Sequence, residues 1–312
     1  MRVYAPLQAV AASARLANIP SVISNVWLGI AVAVWADGWP PDGQAVGRAA
    51  WLVLAGVGLY LAGSFLNDWA DRDWDTRHRP ERALPRAVVP AGYYLTAALG
   101  CLALGCGAAA TVHRASLLVA LLIGLCIVVY TLLHKRSAWA VVAMGLCRAL
   151  LPVLGFSGFV AALGTPAAWL LGGLGLSAGG VFCYVAGLSL RARGEALAGL
   201  APKAAGGIAR WAVAAAVAMT LAVRGCLALP FLTCLPGLLS YGLWLTLCLT
   251  VFRQPVRRQV SNLLAGIPLL DWIVLLPLAM AGGAVNLAVI CLVLPPLAVV
   301  GGKLLQRLAP AT

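Results

Sequence analysis

The sequence predicts an all-α, polytopic membrane protein, a bundle of nine or ten transmembrane helices. Three observations lead there. Of 312 residues, 62% are hydrophobic and only 10% charged; the mean hydropathy is +0.96; and apolar runs of spanning length recur along the chain with short polar breaks between them. A span needs roughly 20 predominantly apolar residues, and a continuous helix satisfies its own backbone hydrogen bonds in hydrocarbon.

Taken in order, the runs cover 16–35, 48–66, 91–111, 115–133, 138–160, 167–190, 207–224, 229–252, 260–281 and 284–303. The first is long and lacks a small-residue cleavage site, so it is expected to stay as a permanent helix. The ninth carries Asn262, Pro268 and Asp271 and is expected to be broken or partly interfacial. Gly and Pro within the others are ordinary for membrane helices, whose neighbours satisfy freed backbone groups. The nine cysteines are scattered, mostly inside apolar runs with no C-x-x-C pair, and read as small buried apolar residues. His78, His113 and His134 sit at segment ends, form no cluster, and read as solvated side chains without a metal role.

The net charge of +13 raises nucleic acid as a partner, but its distribution excludes that reading. With ten helices, fourteen cations fall on the connections after even-numbered segments, while the opposite side holds only Arg48, Arg114 and Arg224. By the positive-inside rule the basic face and the N-terminus are cytoplasmic, so the excess charge is mostly topology. Lys303 and Arg307 join that side if the helix count is ten.

Charge is dense in one place, "FLNDWADRDWDTRHRPERALPRA", residues 65–87, which holds five of the nine acidic residues. If the second helix continues to about Asp75, then at ~100° per residue Asn67, Asp68, Asp71 and Asp75 share an arc of roughly 100°, with Asp73 opposite. Such a face is unfavourable unless cations occupy it, and hard oxygen donors beside a dry cavity suit Mg²⁺. A solvated loop in which carboxylates pair with nearby arginines is the competing reading. Within the spans, Arg148 is expected to face a cavity or a partner, because an ionisable group there is costly. Asp271, close to Trp272 and a segment edge, reads as a structural polar contact or a site carboxylate.

The spacing N-D-x-x-D-x-x-x-D, here Asn67, Asp68, Asp71 and Asp75, followed by "RHRPERALPRA", resembles the first aspartate-rich motif of the UbiA superfamily of intramembrane prenyltransferases. "YTLLHKRSAWAVVAMGLCRALLPVLG", residues 130–155, is similar to that family's stretch after the fourth helix at Tyr130, Lys135, Arg136, Gly145 and Arg148, and "RLANIPSVISNVWLGIAVA" to its first helix at Arg15, Asn18 and Gly29. The resemblance implies one UbiA-like domain over 1–312, Mg²⁺ as cofactor, a prenyl diphosphate as donor and an aromatic or other small acceptor. It also implies membrane lipids as surroundings, and a bacterial inner membrane with the site at the cytoplasmic face. Its implied metal ligands are Asn67, Asp68, Asp71, Asp75 and Glu195. Asp68, Asp71, Lys135 and Arg148 would serve catalysis, and Asn18, Asn67, Tyr130, Arg136, Arg191 and Arg193 donor binding.

The family's second aspartate-rich motif is missing, since its place reads "YVAGLSLRARGEALAGLAPK". Tyr60–Leu66, YLAGSFL, and Tyr184–Leu190, YVAGLSL, suggest a duplicated four-helix unit that sets Asn67 opposite Arg191, Asp68 opposite Ala192, Asp71 opposite Glu195 and Asp75 opposite Gly199. "SLRARGEA" is similar to a divergent, EboC-like branch. Two expectations follow. Either Arg191 and Arg193 replace a metal, because guanidinium forks hold phosphate oxygens, or the chain is a catalytically divergent lipid-binding or transport protein. A CDP-alcohol phosphotransferase fits poorly, because "DWADRDWD" lacks that family's Gly and Ala-Arg positions. A secondary transporter would place its charged site nearer the bilayer midplane.

Overall fold

The computed structural model describes residues 6–37, 43–80, 84–85, 89–196, 202–281 and 285–308, and among them it is helical with no strand. A short α1 (Pro6–Ser13) and a 3-10 turn (Leu16–Asn18) lead into α2 (Ile19–Asp37), followed by α3 (Gly43–Ala70) and α4 (Arg72–His78). Then come α5 (Ala91–Val112), α6 (Arg114–Leu133), α7 (Ala140–Ser157), α8 (Val160–Leu163) and α9 (Ala168–Ala196). The chain continues through α10 (Pro202–Cys226), α11 (Phe231–Thr250), α12 (Val256–Ala265), α13 (Ile267–Ala281) and α14 (Val285–Leu308). Ten of the described helical segments are long and apolar enough to cross a membrane, the larger of the two expected numbers, and the protein is an integral membrane protein.

Lipid is as apolar as leucine, so these helices gain little from hydrophobic burial against one another and rely on close packing. α2 lies at the centre, with most of its side chains buried against α3, α7 and α13. Its crossing with α7 is set by two glycines. A Cβ on Gly29 would lie 1.8 Å from Pro152 O, and one on Gly155 2.0 Å from Val26 O, so neither position admits a side chain without separating the helices. The outer faces of α5, α6, α11 and α14 expose leucines such as Leu99, Leu118, Leu239 and Leu297, as lipid contact requires.

The ninth span is broken, as its polar residues led one to expect, with α12 ending and α13 beginning around Gly266. The carbonyls near the break find side-chain donors: Trp244 Nε1 donates to Asn262 O at 2.9 Å and Tyr184 Oη to Leu263 O at 2.9 Å. A Cβ at Gly266 would lie 2.5 Å from the Trp244 ring, so glycine is what lets the indole reach that carbonyl.

Gly155→Val should destabilise the fold by about 1–3 kcal/mol, the usual cost of overpacking a close contact. Gly107, with nothing within 4 Å of its added Cβ, is the control. Unfolding midpoints in detergent check this: equal midpoints for Gly155→Val and Gly107→Ala would remove the α2–α7 contact as a constraint.

Candidate active site at the mouth of a polarised cavity

The helix through the acidic stretch does continue to Asp75. Asp71 N donates to Asn67 O at 2.9 Å and Asp75 N to Asp71 O at 2.8 Å, so α3 and α4 are joined in one hydrogen-bonded rise. Asp73 is exposed on the far side and lies near Arg72, as the helical angle predicts. The four oxygen-bearing side chains are all buried, but they do not all face one space. Asn67 and Asp71 line a cavity of about 620 Å³. Asp68 receives Arg15 Nη2 at 2.9 Å, while Asp75 is buried and is not part of the lining.

Asp71 is the focus. Its Oδ1 lies 2.8 Å from His134 Nε2 and its Oδ2 3.3 Å from Lys135 Nζ. Burial pushes this carboxyl up, but the hydrogen bonds and charges of His134 and Lys135 outweigh it and hold the group below the ordinary carboxylate range. The expectation that His134 is merely solvated is therefore corrected: its ring is nearly buried, both nitrogens face oxygen acceptors, and Tyr130 stacks on it at 5.1 Å. The available signal was its place beside Lys135, which reaches the same carboxylate. Of the other histidines, His113 accepts from Ala115 N as a helix cap, and His78 stacks on Trp74.

The mouth is strongly cationic. Arg15, Arg79, Lys135, Arg148 and Arg257 line the cavity against Asp71 as its one lining carboxylate among the described residues. Trp74 holds Lys135 Nζ 3.7 Å from its ring centroid and Arg79 Cζ at 5.8 Å. Arg15 takes a left-handed backbone (φ 46, ψ 49), which suits a turn and is uncommon for a residue with a Cβ. Its carbonyl accepts from Tyr60 Oη at 3.1 Å. Asn18 and Tyr130 also line the wall. Deeper in, the wall turns apolar through Leu59, Ile123, Ile127, Leu151, Val185 and Leu188.

Arg148 belongs to both readings weighed for it. It lines the cavity, with its Cζ 5.5 Å from the Tyr60 ring centroid, and it is held from behind. Its Nη1 donates to Ser21 Oγ at 3.0 Å and Asn25 Oδ1 at 3.3 Å. Asn25 Nδ2 in turn donates to Asp271 Oδ2 at 2.9 Å, and Ser24 Oγ donates to the same oxygen at 2.5 Å. Asp271 is thus a structural contact, fixing the Asn25 amide so that its oxygen meets the guanidinium.

Other expected site residues lie elsewhere. Arg136 is exposed outside the cavity lining. Arg191 directs Nη2 toward Gln259 Oε1 at 3.5 Å, also outside the lining. The side chains of Arg193 and Glu195 lie outside the described residues, as does Gly199. The seven-residue match between the two helix ends does not give the side-chain register at the cavity. On α3 the cavity stripe includes Tyr60, Gly63, Ser64 and Asn67, and on α9 it is Val185, Leu188, Ser189 and Ala192. Ala192, rather than Arg191, therefore stands where Asn67 stands in the first half. A one-residue shift turns a helix by ~100°, and a seven-residue match cannot fix that rotation.

Asp271→Leu would leave the Ser24 and Asn25 donors buried without their acceptor, and is expected to cost about 1–3 kcal/mol for each. Retention of the wild-type unfolding midpoint would contradict the network. Asp71 gives a pH signature. Its folded pKa is below the unfolded value, so its contribution is complete above about pH 3.9 and is lost as pH falls through the depressed value. An acid-side loss of stability present in wild type and diminished in Asp71→Asn is the expected observation; identical acid profiles would refute it.

A model of the UbiA prenyltransferase family matches residues 25–263. Among solved structures, a UbiA homologue from Aeropyrum pernix K1 is 20% identical with a TM-score of 0.57, covering 92% of this chain and 98% of that one. A digeranylgeranylglyceryl phosphate synthase is 14% identical with a TM-score of 0.52, covering 96% and 98%. A UbiA homologue from Archaeoglobus fulgidus bound to GPP and Mg²⁺ is 13% identical with a TM-score of 0.46, covering 96% and 99%. No curated protein matches the chain in sequence. Since the match to the family's model runs from the first span into the ninth, the chain belongs to the UbiA prenyltransferase family.

Proposed function

We propose that the protein is a Mg²⁺-dependent intramembrane prenyltransferase, moving a prenyl group from a prenyl diphosphate to an aromatic or other small electron-rich acceptor at the cytoplasmic face of a bacterial inner membrane. The observation that carries this is the polarity of one cavity, with a cationic mouth beside Asn67 and Asp71 and an apolar inner wall. That profile matches an amphiphile with an anionic head and an isoprenoid tail.

The donor set suits the metal. Every candidate ligand is an oxygen, Asn67 Oδ1 is buried with no hydrogen-bond partner, and Mg²⁺ takes one or two protein carboxylates together with substrate phosphates rather than a full protein cage. In keeping with that habit, no three His, Cys, Asp or Glu side chains among the described residues converge as a preformed metal cluster. Asn67 and Asp71 would hold it, with Asp71 exchanging part of its contact to Lys135, whereas Asp68, turned to Arg15, and Asp75, outside the lining, do not face that space. When bound, Mg²⁺ supplies positive charge that stabilises the departing diphosphate.

The chain's own residues do the rest. Lys135 and Arg79, oriented by Trp74, bind the head of the donor as charge grows on it. Arg148, fixed by Ser21 and Asn25, adds a cation at the boundary between head and tail. The donor C1–O bond breaks with its electron pair leaving on the diphosphate, and the acceptor bonds to C1 and releases a proton. Leu59, Ile127 and Leu151 keep water from the cationic carbon. Tyr130 and Asn18 complete the wall.

The test is thermal stability of purified protein with geranyl diphosphate, with and without Mg²⁺, in wild type and Asp71→Asn. A ligand that binds the folded state alone adds about 2.7 kcal/mol at 100 times its Kd. Mg²⁺-dependent stabilisation lost in the variant supports a donor site. No stabilisation at any prenyl length removes it, and stabilisation without turnover across an acceptor screen favours a lipid-binding protein.

A further inference from the structure

The first half of the bundle brings Asn67 and Asp71 to the mouth, and the described side chains of α9 bring no carboxylate to the facing wall. At the position equivalent to Asn67 stands Ala192, and Ser189 is the polar residue that α9 contributes to the lining. The wall is completed instead by α12, whose Val256, Arg257 and Val260 reach the cavity. α12 is firmly seated. Gln259 is buried and links two elements, donating through Nε2 to Cys248 O at 3.2 Å and accepting from Arg191 at 3.5 Å, and Asn262 O accepts from Trp244 at 2.9 Å. The neighbouring cations Arg258, over Phe252 at 4.9 Å, and Arg191, toward Gln259, lie outside the cavity lining. Arg257 is the cation that this wall presents to the cavity among the described residues.

We infer that Arg257 binds the donor's diphosphate from the α12 side, so that the head is held by one metal ion on the Asn67–Asp71 face and a guanidinium opposite, in place of two metal sites. The inference rests on the proposed donor site and adds to it a residue and a metal stoichiometry. A guanidinium fork pairs with two phosphate oxygens at once and keeps its charge at every working pH, so it can stand where a carboxylate-bound cation would otherwise be required. Arg257 is exposed at the mouth, so replacing it leaves the packing of α12 through Val256, Gln259 and Val260 in place.

The test is binding of geranyl S-thiolodiphosphate, an unreactive donor analogue, by calorimetry in detergent at saturating Mg²⁺, with Mg²⁺ bound per protein measured by equilibrium dialysis. Losing a charge-assisted contact should weaken binding about ten- to hundredfold in Arg257→Gln. Arg257→Lys should recover part of the affinity, Arg258→Gln should match wild type, and one Mg²⁺ should accompany each bound analogue. Unchanged affinity in Arg257→Gln, or two Mg²⁺ per analogue, overturns the inference while leaving the donor site standing. Wild-type protein that binds no analogue overturns both.

Discussion

A carboxylate at the end of a lipid-embedded helix has to be met by fixed positive charge, and the contact of Asp71 with His134 and Lys135 supplies it. That contact joins the end of α3 to the turn after α6, elements that lie sixty residues apart in sequence. It also decides where the mouth of the cavity is. Tyr130 stacks on His134 and Trp74 lies under Lys135, so aromatic planes keep both side chains aimed at one carboxylate. The same two partners hold the Asp71 carboxyl below its ordinary range despite its burial.

The same requirement runs down through the membrane. Asp68 meets Arg15, the Arg15 carbonyl meets Tyr60, Arg148 lies over the Tyr60 ring, and Ser21 and Asn25 connect Arg148 toward Asp271. Each polar group in this column has a partner, because in hydrocarbon an unmet one is expensive. The column threads α2, α3, α7 and α13 together, and the close approaches of Gly29 to Pro152 and of Gly155 to Val26 bring two of those helices near enough to share it. Packing and polarity are thus one problem here. The small residues that permit close approach also fix the Arg148 guanidinium against the cavity.

The two halves of the bundle use equivalent helix faces unequally. Among the described side chains, α3 and the turn after it bring Asn67 and Asp71 to the cavity, whereas α9 brings Ser189 and Ala192. Positive charge on that wall comes instead from α12, ahead of a break that the Trp244 and Tyr184 hydrogen bonds stabilise. Along this wall the charge facing the cavity is therefore carried by α12, and the two sides of the mouth differ in chemistry.

Much of this was legible beforehand. Helix number, the broken ninth span and the reach of the acidic helix to Asp75 follow from hydropathy, polar interruptions and the helical angle, because lipid imposes length and backbone satisfaction on each segment separately. Asn67 and Asp71 were named from helical spacing and Asn18, Tyr130, Lys135 and Arg148 from the family resemblance, and all six line one cavity. His134, Arg15 as the partner of Asp68, and Arg257 were not, and Arg191 was placed on a stripe that belongs to Ala192. What the sequence by itself determined was which segments cross the membrane and which of them carry charge, since these are properties of one helix in one solvent. Only the tertiary structure decided which charges meet, because that depends on the rotation of each helix about its axis, and the rotation is set by contacts between helices far apart in the chain.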